Sequence, residues 1–325
     1  MKQAKHMFVI VIAAVGVIAA MMMGLKFAFS RMVSAAKPQL PAPIAPMQPA
    51  EVRVKVEERN AAPLENGAVV AASDAVAIVC GEGDVPADRY EARNDALRSI
   101  ARRRDLPKED VAALMDYLAS TKDAMRVERV AALKNDVMNL LRNQEPPVEG
   151  LADALIAMFD GGAHPPAVLD YCIQHLGAMQ GGLNDTARRR VLAVLAMAAA
   201  RKGQSYAGTA LYSLAADRRA TSAQNAELKR LALAMCAADS NPAARIAAIQ
   251  LAGEHGYAEA LPILRKVLSS PRRDTVLDIV AIGSVGLLGD SSDISRLSHF
   301  MKCDSRRAPA AEAAIRRINE RSGAK

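Results

Sequence analysis

The chain has 325 residues, a formal net charge of +7, 51% hydrophobic residues, 3% aromatic residues and no tryptophan. A composition rich in Ala, Leu, Arg and Met points to helices, because strands enrich β-branched and aromatic side chains. The modest charge excludes a polybasic tail, and the scarcity of rings leaves few platforms on which nucleic-acid bases could stack.

Residues 1–6 are a short tail carrying Lys2 and Lys5, and Met7–Leu25 follows without a charged residue. As a helix that run would span roughly 28 Å, the thickness of a bilayer's hydrocarbon core. Residues 7–29 are therefore expected to be a single transmembrane anchor. The competing reading is a signal peptide cleaved near Val33-Ser34-Ala35, but the run is long for that role and Lys26 and Arg31 stand between it and the site. Lys2 and Lys5 before the span nearly balance Lys26, Arg31 and Lys37 after it. The short tail behaves as in an uncleaved signal anchor, which places the body on the periplasmic or otherwise extracytoplasmic side of the cytoplasmic membrane. Gly16, Ala20 and Gly24 recur every four residues, a stripe through which two such helices could pair as a homodimer. Alanine is common throughout the run, so chance also explains the stripe.

Residues 30–83 are expected to be a Pro-rich, largely disordered linker. Pro38, Pro41, Pro43, Pro46 and Pro49 favour an extended spacer rising roughly 3.1 Å per residue. Val52, Val54 and Val56 alternate with charges in a strand-like pattern, but a lone short strand reads better as linker. Ala68–Cys80 is apolar and short, a segment suited to packing on the first helices.

From Asp84 onward the apolar residues keep a helical period. Val111, Leu114, Met115 and Leu118 form one stripe, preceded by Pro107, Glu109 and Asp110; Val130, Leu133, Val137, Leu140 and Leu141 form another, closed by Pro146-Pro147. Similar stripes continue to Met235, and Thr221-x-x-Gln224 reads as a capping box. The pattern predicts twelve or thirteen helices: an N-terminal helical array or cap over 84–180 with uneven spacing, and a repeat domain over 181–325.

The repeats are clearest from Asn241 to Cys303. Ile246, Ile249, Gly253 and Gly256 return as Ile279, Ile282, Gly286 and Gly289, each 33 residues on, and both copies are followed by a short apolar helix. Ile315 and Ile318 continue the register from Ile282 and Val285. A fixed period of this size marks stacked helix pairs. The pattern apolar-x-x-apolar-x-x-small-Gly-x-x-Gly, with Asp290 after Gly289, resembles the HEAT repeat in the short bacterial form also found in phycobilin-lyase-type proteins, over about residues 241–319. Gly256-Tyr257 departs from it by lacking the aspartate. The resemblance implies an all-α solenoid of antiparallel helix pairs and a scaffold that binds protein partners. It transfers no catalytic residue and no lyase activity. Gly253, Gly256, Gly286, Gly289 and Asp290 are the repeat's structural turn positions, and Gly253 and Gly286 are expected where helices pack too closely for a side chain.

Little in the sequence suggests chemistry. Cys80, Cys172, Cys236 and Cys303 form no CxxC, and nothing chooses a disulfide partner among them. Cys172 and His175 lie three residues apart on a helix, which could make a thiolate–imidazolium pair or half a metal site, but further ligands and an orienting group are missing. Glu254-His255 lacks the second histidine of HExxH, and neither a phosphate-binding glycine loop nor a Gly-x-Ser-x-Gly elbow occurs. No catalytic, cofactor or metal residue is expected, and the chain reads as a non-enzyme. The alternative of the enzyme class rests on Cys172 and His175 alone.

Arginines cluster near predicted helix ends, among them Arg188, Arg189 and Arg190, Arg272 and Arg273, and Arg306 and Arg307. Lined along one edge they would make a ridge for an acidic partner, anionic lipid or a polyanionic envelope polymer; solvated helix ends are the plainer explanation. A cytoplasm-facing adaptor using them on nucleic acid or anionic lipid is the alternative to an extracytoplasmic, membrane-anchored scaffold.

Overall fold

The computed structural model describes residues 72–82, 85–237, 239–270, 274–303 and 305–323. The tail, the apolar run over 7–29 with its Gly16, Ala20 and Gly24, and the linker up to residue 71 lie outside them. Among the described residues no helix is long and apolar enough to cross a membrane.

The described residues form an all-α fold of fourteen α-helices joined by short turns, with no strands. They are α1 (Ala72–Cys80), α2 (Tyr90–Ile100), α3 (Lys108–Ala119), α4 (Val127–Arg142), α5 (Leu151–Gly161), α6 (Pro166–Met179), α7 (Asp185–Ala200), α8 (Tyr206–Ala215), α9 (Ser222–Met235), α10 (Pro242–Glu254), α11 (Leu261–Leu268), α12 (Thr275–Leu288), α13 (Ile294–Cys303) and α14 (Ala308–Ser322). The first of these lies inside the segment expected to be linker. It is a helix because Ala75, Val76 and Val79 share one buried face against the array.

Local chemistry sets the helix starts. Asn184 accepts from Ala187 N at the head of α7 (2.9 Å), and Asp274 accepts from Val276 N and Leu277 N at the head of α12 (3.0 and 3.1 Å). Each bond satisfies an amide that the first helical turn leaves without a partner. At α9 the capping box of Thr221 and Gln224 is formed in both directions. After α10, Gly256 takes φ +70°, a left-handed conformation that glycine adopts without a Cβ penalty.

The helices stack in two rows. Even-numbered helices pack on one another in succession from α4 through α14, and odd-numbered helices from α3 onward form the second row. The even row crosses residue 180 without a break, since α6 meets α8 much as α8 meets α10. Between the rows runs one apolar core, with Leu155, Ile173, Leu195, Leu211, Ile249, Leu264, Ile282 and Leu297 fully buried. This is the stacked-pair architecture of an α-solenoid.

From α6 onward, even helices approach closely because small residues meet at each junction. A Cβ on Gly177 of α6 would strike Ser213 of α8, one on Gly208 would lie 2.9 Å from Ala247 Cβ of α10, and one on Gly253 would lie 2.7 Å from Ser284 Oγ of α12. Gly253 and Gly286 therefore sit inside α10 and α12, not in turns as the sequence pattern placed them. Gly289, at φ −77° and ψ 177°, closes α12, and Asp290 accepts from Ser292 N (2.8 Å) in the turn that follows.

At the N-terminal end, buried cations take the place of small residues. Arg93 of α2 donates twice to Val79 O of α1 (2.9 and 2.7 Å), once to Ala87 O, and pairs with Asp123 at 3.0 Å. Lys134 of α4 donates to Leu118 O (2.8 Å) and to Ser120 O at the end of α3, where exposed carbonyls favour a cation. Burial pulls the Lys134 ammonium down to about 8.

Candidate interaction surface

The 33-residue period brings α10, α12 and α14 into one succession of packed helices. Gly286 meets Ala314 and, further along both helices, Gly289 O accepts from Arg321 (2.7 Å), so α12 and α14 run in the same direction. The outward line of α12 consists of Val276, Val280, Gly283 and Leu287, a set spaced at i, i+4, i+7 and i+11. Every member is apolar. Val276 is 42% exposed and Leu287 40%, which makes them two of the few large hydrophobic side chains so open to solvent among the described residues. A surface helix normally turns a polar stripe outward, and α12 does not.

At the C-terminal end of α12, Arg321 of α14 donates to Gly286 O and Gly289 O (both 2.7 Å). Glu254 accepts from Gln250 Nε2 at 2.9 Å. Beyond α14, Ile315 is half-buried although Ile249 and Ile282 at the same register are fully covered, because the next even helix covers each of those two.

Of the arginines singled out from the sequence, the described ones do not all line one exposed edge. Arg188 pairs with Asp217, and Arg307 pairs with Asp278 at 2.9 Å, with all four side chains largely buried. They act as staples between successive helices. Arg190 pairs with Asp153 of α5 (2.7 Å) and bridges neighbouring odd helices. Arg189 and Arg306 are exposed, and Arg272 and Arg273 lie outside the described residues. A further staple escaped sequence reasoning. Asp293, 1% exposed, accepts two bonds from Arg265 of α11 (both 2.8 Å) and one from Arg296 (3.1 Å). Its signal was there only in hindsight, as an acidic residue next to the Gly289-Asp290 turn.

Cys172 and His175 are both buried on the core side of α6. Burial pushes the Cys172 thiol up to about 12 and pulls the His175 imidazole down to about 4. Both are neutral near pH 7, so the pair carries neither thiolate nor imidazolium. His175 Nε2 lies 3.2 Å from Asn135 Oδ1 of α4 and donates to it, a contact between successive even helices. Cys80, Cys172 and Cys236 are free thiols, and among the described residues no three His, Cys, Asp or Glu side chains could hold a metal ion together.

Residues 229–316 match the family model of HEAT repeats. Over that span the chain carries HEAT repeats. The match runs from α9 into α14 and covers the α10–α12–α14 face in which the repeat register is strict. No curated protein and no solved structure matches the chain. HEAT repeats are protein-interaction scaffolds as a rule, and nothing in the repeat pattern itself carries catalytic groups.

Proposed function

We propose that the protein is a membrane-anchored HEAT-repeat scaffold whose even-helix face binds a protein partner outside the cytoplasm. The observation that carries the reading is the outward apolar line of α12 within the HEAT-matched span. An apolar stripe on a surface helix of a repeat array is a contact surface waiting for a partner. The charge-free run over Met7–Leu25 supports the anchor, and the proline-rich stretch after it supports a spacer holding the array away from the bilayer. Burial of Arg188 and Arg307 in internal ion pairs weighs against an arginine-based nucleic-acid or lipid adaptor.

Topology tests the anchor. A reporter active only outside the cytoplasm, fused after Lys325, is expected to be active, while a reporter that folds only inside is expected to be silent. The reverse pattern rules out the extracytoplasmic scaffold. Release of the full chain from membranes by alkaline carbonate rules out the anchor itself.

A further inference from the structure

Three consecutive arginines, Arg102, Arg103 and Arg104, occupy the turn from α2 to α3, and all three are exposed. The backbone of that turn is pinned from the end of α4. Gln144, 5% exposed, uses its whole side-chain amide there: Oε1 accepts from Leu106 N, and Nε2 donates to Arg103 O and to Leu140 O, each at 2.9 Å. Glu145 N donates to Arg104 O at 2.7 Å, and the Glu145 carboxylate pairs with the Arg104 guanidinium. Arg102 and Arg103 are left over. Among the described residues their side chains form no hydrogen bond or ion pair, and the exposed carboxylate of Asp105 in the same turn pairs with neither. Exposed turns usually keep their freedom, whereas this one holds two unneutralised guanidinium groups on a fixed backbone.

The preceding chain joins the array at the same corner. Ser73, the second residue of α1, donates from Oγ to Asp110 Oδ2 at 3.2 Å, and Asp110 is the third residue of α3, directly after the arginine turn. Residues before Ala72 are thus tied to the array close to Arg102 and Arg103.

We infer that the α2–α3 turn docks on the surface of an anionic phospholipid bilayer, with Arg102 and Arg103 binding headgroup phosphates and Lys108, exposed at the head of α3, adding a third cation. The inference rests on the membrane-anchor reading above and deepens it, because it names the corner of the array that faces the bilayer. Guanidinium forks match phosphate oxygens two at a time. A turn already ordered loses little freedom on contact. Attachment beside the turn favours lipid over a phosphate carried by a free partner, since a tether at that corner keeps the arginines at high effective concentration near the membrane. The arginines of the repeat half do not compete for this role where they are held in buried pairs, as Arg188 and Arg307 are.

The test reconstitutes the full chain in vesicles of phosphatidylcholine, with or without phosphatidylglycerol. A fluorescent amino acid replaces Ser99, exposed in the last turn of α2, and energy transfer to an acceptor-labelled lipid reports how near the turn lies to the bilayer. Transfer is expected to be strong with phosphatidylglycerol, and weak without it or in high salt. Each cation near an anionic surface strengthens contact by about fivefold, so Arg102→Gln with Arg103→Gln is expected to lower the ratio of docked to free array by about twentyfold. Both side chains are exposed, so the variant keeps the fold, which a circular-dichroism melt confirms. Transfer indifferent to headgroup charge, or unchanged in the double variant, overturns the proposal. Displacement of the turn from anionic vesicles by a polyglutamate peptide at equal ionic strength also overturns it, by making an acidic protein the better occupant. Failure of the anchor is read separately by alkaline carbonate. A chain that resists extraction while transfer ignores headgroup charge keeps its anchor and loses the lipid contact. A chain that carbonate releases, yet whose binding to anionic vesicles needs Arg102 and Arg103, loses the anchor and keeps the contact.

Discussion

Gly286 of α12 rests against Ala314 of α14 so closely that a Cβ on the glycine would lie 2.8 Å from the alanine's Cα. No rotamer relieves that contact, because the obstructing atom is backbone. The spacing of the last two even helices is thus set by the absence of a methyl group.

Gly286→Leu should therefore force α12 and α14 apart. Overpacking a close contact costs about 1–3 kcal/mol, and more where backbone must move. A fall in Tm of several degrees in a thermal melt is the expected outcome. An unchanged Tm means that the helices do not meet at Gly286.

Gly283→Ala should have the opposite sign. Three residues away on the same helix, its Cβ points into open space, and replacing a mid-helix glycine by alanine stabilises by about 0.5–1 kcal/mol. Chemical denaturation should show a higher midpoint with an unchanged slope. A loss of stability would mean that something already occupies that face in the free chain.

Arg307 and Asp278 form a buried pair, so removing the guanidinium takes a charged partner from a buried carboxylate. Arg307→Met should destabilise by about 3–5 kcal/mol, and Arg307→Met with Asp278→Leu should recover most of the loss. A double-mutant cycle measures this. Equal losses for the single and double variants would contradict a stabilising coupling between the two and return Arg307 to the candidates for partner binding.

Acid should act partly through His175. Its imidazole titrates at about 4 in the fold against 6.5 as the ordinary value, with burial as the main cause. The unfolded chain thus takes up a proton between pH 6.5 and 4 that the folded chain refuses, and the stability His175 contributes, up to about 3 kcal/mol, is lost as pH falls through that window. His175→Gln, which can still donate to Asn135, should flatten the decline between pH 6.5 and 4 relative to the unsubstituted chain. Parallel curves would contradict a buried neutral imidazole.

The repeat register was legible because packing wrote it. Ile249 and Gly253 recur at 33 residues since Ile249 and Ile282 are both fully buried and Gly253 and Gly286 both abut the next even helix, and a period is visible without knowing any contact. The helix α1 was not legible. Nine residues with Ser73 and Asp74 interrupting them look like linker until Arg93, on the next helix, is seen to bond Val79 O. The arginines misled for a related reason. Arg188 and Arg307 look like surface clusters beside other arginines, and only the fold brings Asp217 and Asp278 to them. The outward line of α12 was present in the sequence as the apolar residues of a helix whose polar members are Thr275, Asp278 and Ser284. Which side of it faced water required the positions of α10 and α14.

The central claim is that the even-helix face, and not the odd one, meets the partner. It is tested most directly by site-specific photo-cross-linking of the full chain in its own membranes. The cross-linker replaces Val276 or Leu287 on the even face, or Arg230 or Lys266 on the exposed side of the odd row. The account predicts one discrete protein adduct from both even-face positions and none from the odd-row positions. Adducts from Arg230 or Lys266 alone would contradict it.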